Sequence, residues 1–143
     1  MAQNDVETLN SFLRGEISAV ETYRQAIGRL SDDRLRSQLE DCQKDHEERV
    51  AAIRERIEKL GGEPAKGSGP WGIFAKAVQG GADLIGEKAA IQALEEGEDH
   101  GLADYQRDVD QVHGEARRFV RTELLPKQKR THELMSRLKR TLH

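Results

Sequence analysis

One pattern of polar residues is stated twice along the chain, and it restricts the fold more than any other feature. Gly15-Glu16 is followed by Tyr23, and Gly97-Glu98 is followed by Tyr105 at the same spacing. Leu39 is followed by His46, and Leu125 is followed by His132, again at one spacing. The order Gly-Glu, Tyr, Leu, His therefore occurs twice. Glu98 lies 82 residues after Glu16, whereas His132 lies 86 after His46, and a longer turn in the second copy accounts for the four-residue difference. A repeat of this kind is a supersecondary unit that cannot bury its apolar face alone and packs against its twin.

Helical periodicity surrounds each marker. Leu9, Leu13, Val20, Tyr23, Ile27 and Leu30 recur at helical spacing, with Asn4 as expected N-cap and Glu7 as its capping-box partner. Ser31-Asp32-Asp33 makes a turn and a new N-cap. The next helix carries Leu35, Leu39, Cys42, Val50, Ile53, Ile57 and Leu60 on one stripe, and Gly61-Gly62 followed by Pro64 ends it. A short link between two long helices makes them antiparallel neighbours. The Gly/Pro/Ser-rich stretch from Gly61 to Gly72 reads as a crossover, followed by a short apolar helix over 73–78 with Trp71 as a packing plug and Gly80-Gly81 as its break. Further helices are expected over 83–107 and 110–139, the last kinked at Pro126. The expected fold is all-α: one antiparallel four-helix-bundle domain over 1–143, with helix pair 4–60, crossover 61–82 and helix pair 83–140.

The polar markers fall on the apolar stripes. Glu16 sits between Leu13 and Val20, His46 between Cys42 and Val50, Glu98 between Leu94 and Leu102, and His132 between Gln128 and Met135. Each long helix is thus expected to point one titratable group into the core. A buried carboxylate is costly unless it is paired, protonated or metal-bound.

On these residues the chain resembles the ferritin-like four-helix-bundle superfamily. It is similar to a bacterial branch of ferritin-like domains of unknown function that share a GG-x-P…GS crossover, here Gly61-Gly62-Glu63-Pro64 to Gly67-Ser68. Di-iron members supply a Glu from one helix and a Glu-x-x-His from the next in each half. The resemblance implies Glu16, His46, Glu98 and His132 as metal ligands, with Tyr23, Gln43, Tyr105, Gln128 and Lys129 around them. It implies a divalent ion, Fe, Mn or Zn, and a role in metal handling or stress protection. The positions three before each His hold Gln43 and Lys129 rather than Glu. That departure argues against a bridged di-iron oxidase, unless Glu47 or Glu95 is recruited to complete it. Two readings stay open: a reduced site for one ion, or a metal-free structural or interaction bundle in which Lys129 replaces the metal's charge. Gly15 and Gly97 mark either room for a ligand, a π-bulge, or close helix packing.

Composition excludes other classes. A net charge of −3 gives no footprint for nucleic acid. The late basic residues from Lys127 to Arg140 read as a solvated face. Cys42 is alone, which rules out an intrachain disulfide and fits a reducing, cytoplasmic setting. The first ten residues lack the features of a signal peptide, and no apolar run reaches membrane-spanning length. Cys42 is expected as an inert buried thiol, and His100, His113 and His143 at surface or loop positions. Association with further copies through helix faces is an open expectation.

Overall fold

The computed structural model describes residues 2–68 and 86–142. Helix α1 spans Ala2–Ile27 and α2 spans Asp33–Lys59. After the crossover come α3 at Glu87–Asp108 and a 3-10 turn at Val109–Gln111. Then α4 (Gly114–Phe119), a π turn (Val120–Leu124) and α5 (Leu125–Thr141) follow one another without a gap and make the fourth helix of the bundle. Helix α1 packs chiefly on α2, α3 chiefly on α5, and α1 meets α3 between the two pairs. The expected short apolar helix at 73–78, Trp71, Gly80-Gly81, the start of the third helix at 83 and His143 lie outside the described residues.

Local chemistry sets the helix ends. Asp32 is the N-cap of α2, its Oδ1 accepting the Leu35 N–H at 2.9 Å. At the other end, the Gly61 N–H donates to the Glu58 carbonyl and the Gly62 N–H to the Ile57 carbonyl, both at 3.0 Å. This Schellman arrangement needs a left-handed residue at Gly61, whose φ is +76°. Helix α1 begins two residues before the expected cap at Asn4. Asn4 lies inside the first turn, and Asn10 instead reaches the crossover, bonding Glu63 and Ala65 backbone groups.

The two halves match more closely than the His spacing suggested. Five residues separate α1 from α2, and five separate α3 from α4. The second turn is therefore no longer than the first. Buried Leu35 and Leu39 correspond to Ala116 and Val120, each 81 residues on, whereas Cys42, His46, Arg49 and Ile53 correspond to Leu124, Gln128, Thr131 and Met135, each 82 on. The π turn between Val120 and Leu124 contains the one inserted residue, its ladder closed by the Leu125 N–H on the Val120 carbonyl. It ends just before Pro126, which has no N–H to give, so the ladder is interrupted where the sequence requires it. The offset of 86 linking His46 to His132 is corrected accordingly.

The core is divided. One apolar cluster holds Leu9, Leu13, Ile53, Ile57, Val112 and Leu124, and the other holds Ala26, Leu30, Leu39, Ile91, Leu94 and Met135. Between them lies a buried polar layer of Glu16, His46, Arg49, Glu98, Gln128 and Thr131. Replacing Gly61 by Ala puts a Cβ on a left-handed residue with no side-chain clash, so the expected loss is backbone strain alone, about 1–2 kcal/mol in denaturant unfolding.

Candidate functional site

The polar layer is assembled from all four helices. Glu16 comes from α1, His46 and Arg49 from α2, Glu98 from α3, and Gln128 and Thr131 from α5. His46 and Arg49 are three apart on one helix face, as are Gln128 and Thr131, so each pair points into the bundle together.

Glu98 is wholly buried, and its carboxylate is saturated. Its Oε2 accepts from the Tyr23 hydroxyl at 2.5 Å and from His46 Nε2 at 2.7 Å. Its Oε1 accepts from Thr131 Oγ1 at 2.8 Å and Gln128 Nε2 at 3.0 Å. Glu16 accepts His46 Nδ1 on Oε1 at 2.5 Å, and Tyr105 at 2.5 Å and Arg49 Nη1 at 3.2 Å on Oε2. The tyrosines cross over: each lies on the same helix as one Glu and bonds the other. Arg49 has no exposed surface. Its Nε donates to Asp45 at 2.8 Å, its Nη2 to Thr131 at 2.9 Å, and its Nη1 also to the Gln128 side-chain oxygen.

Carboxylate oxygens at both ring nitrogens favour the protonated His46 imidazole. Both ring nitrogens of His46 face carboxylate oxygens, and a neutral imidazole has only one N–H. Burial and the neighbouring Arg49 push the His46 pKa down, but Glu98 and Glu16 outweigh them and raise it. Burial pushes Glu16 up, yet Arg49 and His46 bring it down to about 2. Glu98 is likewise lowered, against burial, by the His46 charge and its hydrogen bond. Glu16 and Glu98 thus balance the charges of His46 and Arg49, while Asp45, which also takes the Arg49 guanidinium, is paired with Arg130. Burial and the nearby Glu98 push Cys42 up to about 12, which makes it the inert thiol expected.

Of the residues expected around an ion, Glu16, His46 and Glu98 meet at the centre, with Tyr23, Tyr105 and Gln128 bonded to them. His132 does not join them. It lies one residue past Thr131, partly exposed at the α3–α5 surface beside Glu95 and Asp99. Lys129, next to Gln128, is exposed and does not pair with Glu16 or Glu98. The expectation that Lys129 carries the compensating charge is therefore corrected: Arg49 carries it. Gln43 is half-buried, off the layer. Asp45 anchors Arg49 and is bonded in turn by Arg130. His113 bonds Asp5 at 2.9 Å, and His100 is exposed.

Arg49 and Thr131 stand outside the repeated pattern of the sequence. Arg49 reads as a solvent residue beside the apolar Val50, and its signal was the i, i+3 spacing from His46, the same spacing that separates Glu from His in Glu-x-x-His. On the layer, His46 and Arg49 are one such i, i+3 pair, and Gln128 and Thr131 are the matching pair on α5. Gly101 makes room: a Cβ there would stand 2.7 Å from Gln128 Nε2. A Cβ at Gly15 would meet nothing within 4 Å. That glycine lines a crevice between α1 and α3 with Ser11, His100 and Asp104, which reaches Glu16 and His46.

A family model described as "Domain of unknown function (DUF2383)" matches residues 4–111. The crystal structure of a "ferritin like, diiron-carboxylate" protein from Bacillus anthracis str. Ames superimposes with a TM-score of 0.75 at 18% identity, covering 96% of each chain. At that identity the match establishes a ferritin-like fold. No curated protein sequence matches the chain.

Two outcomes follow from the network. Arg49→Met leaves two carboxylates against one imidazolium in a closed core, and a loss of about 3–5 kcal/mol is expected in urea unfolding. The pH dependence has two opposite limbs. The lowered Glu16 pKa contributes stability that is complete above the carboxylate's ordinary 4.5 and is lost as pH falls toward 2. The raised His46 pKa contributes stability that is complete below 6.5 and is lost as pH rises through the folded-state value. Unfolding free energy measured against pH should be highest between about 4.5 and 6.5, and Glu16→Gln should flatten the acid limb.

Proposed function

The chain belongs to the DUF2383 family and has a ferritin-like fold, and we propose that its bundle centre holds no metal and that it works as a helical interaction module rather than as an iron oxidase. The observation that carries this reading is the Arg49 guanidinium, buried among Glu16, Asp45, Gln128 and Thr131. A di-iron centre of the ferritin-like kind draws on four carboxylates and two imidazoles. The layer offers two carboxylates and one imidazole. Every carboxylate oxygen already accepts a hydrogen bond, and both nitrogens of His46 are engaged. The donor set does not fit a di-iron site.

The protein's own cations do at this centre what metal ions do in di-iron relatives: they neutralise inward-pointing carboxylates and hold four helices in register. Buried polar networks can specify one arrangement of helices over its alternatives. The remaining means of action is the outside of the bundle. One groove between α1 and α2 presents Ile17, Val20 and Ala51, flanked by Glu21, Arg24, Glu47 and Arg54. Among the described residues no helix is long and apolar enough to cross a membrane.

Anaerobic loading with ferrous iron followed by air tests this reading. Oxygen uptake and ferric absorbance should stay at the buffer rate, and iron should leave the Tyr23 and Tyr105 environments unchanged. Stoichiometric iron that oxidises rapidly, and is lost in Glu98→Gln but kept in His132→Ala, would refute it.

A further inference from the structure

His132, excluded from the centre, stands in a different constellation. Glu95 and Asp99 are four residues apart on α3 and share a face, and His132 faces them from α5. His132 Nε2 lies 3.3 Å from Asp99 Oδ1 and 3.5 Å from Glu95 Oε2, and one ligand atom from each of the three residues lies within 4.8 Å of the others. We propose that Glu95, Asp99 and His132 form a surface site for one divalent transition-metal ion of the zinc class, bridging α3 and α5, with water completing its coordination.

The second observation is the state of the ring nitrogen. His132 Nε2 is closed to solvent and has no hydrogen-bond partner among the described residues, although two carboxylates flank it. Their oxygens are near but out of line for an N–H donor. The ring nitrogen lies at ion-pair distance from both carboxylates but is hydrogen-bonded to neither, and a buried polar atom without a hydrogen bond is costly. Converging on a common point, by contrast, suits a lone pair and two anionic oxygens. With bonds of about 2.0–2.2 Å, tetrahedral zinc sets its ligand atoms about 3.3–3.6 Å apart. The two distances from His132 fall within that range, and the third, between the Glu95 and Asp99 oxygens, is no more than 4.8 Å.

The chemistry of the set is also suitable. One imidazole and two carboxylates match zinc, cobalt or nickel. Asp99 is largely exposed, which leaves a path for entry and room for water. Lys139 Nζ holds the other Glu95 oxygen, Oε1, at 3.0 Å. It fixes the carboxylate and leaves Oε2 turned toward His132, while its positive charge competes with a bound cation. This site and the filled centre share no side chain, so the inference is independent of the reading of the centre.

Cobalt(II) absorbance and zinc calorimetry on the full chain test it. One ion per chain is expected, with a rise of a few degrees in melting temperature at saturating zinc. Asp99→Asn, at a largely exposed position, and His132→Ala should each weaken binding at least tenfold without a comparable fall in the metal-free melting temperature. Lys139→Ala should tighten it, the reverse of what removing a merely structural ion pair would do. Absence of binding at 0.1 mM zinc, on the order of the weakest site worth naming, would overturn the proposal. So would binding indifferent to Asp99→Asn and His132→Ala. Binding abolished by Glu98→Gln but not by His132→Ala would instead place the ion at the centre, contradicting both readings separately.

Discussion

A guanidinium buried at the middle of four helices is the constraint on which the rest of this structure depends. Moving such a charge out of water costs several kcal/mol even after relaxation, so its surroundings must be specified in detail. Asp45, Glu16, Gln128 and Thr131 take its N–H groups, and these residues come from three different helices. The second cation, His46, joins the two carboxylates through its two ring nitrogens. Tyr23 and Tyr105 close the layer from opposite sides, each rooted in a different apolar cluster. No member can move without leaving another unsatisfied. The layer therefore fixes the register of all four helices at one level, while the two apolar clusters supply the bulk of the burial.

The same constraint separates fold from chemistry. A ferritin-like bundle brings four helices close at mid-length, and inward carboxylates there need positive charge. Metal ions are one source of it. In this chain the source is a His-x-x-Arg pair, His46 and Arg49, on the inward face of α2. Under the proposed function the fold's electrostatic requirement is met by covalently attached cations, His46 and Arg49.

Much of this was legible in the residues. Glu16 and Glu98 at the same point of two matching helices, each with a Tyr two turns on, led to the duplicated bundle and to half of the layer. The Asp32 cap and the Gly61-Gly62 stop set the first helix pair to within a few residues. Residue type pairs His132 with His46 and puts the fourth helix out of register. The true counterpart of His46 is the neutral Gln128, which has no titratable signature to betray it. The inserted residue in the π turn before Pro126 was also hidden, since a single-residue insertion leaves apolar periodicity almost unchanged. Arg49 escaped because a charged residue next to an apolar stripe ordinarily faces water. Only the contacts made by the other helices show that its side chain turns inward.

The protonation state of His46 bears most directly on the claim that protein cations fill the centre. Nitrogen-15 NMR of the imidazole at neutral pH, without and with added zinc, reads it. The account requires both Nδ1 and Nε2 to carry protons, with signals that zinc leaves in place. An unprotonated ring nitrogen that shifts on adding one equivalent of zinc would show a lone pair available to metal, and would contradict the account.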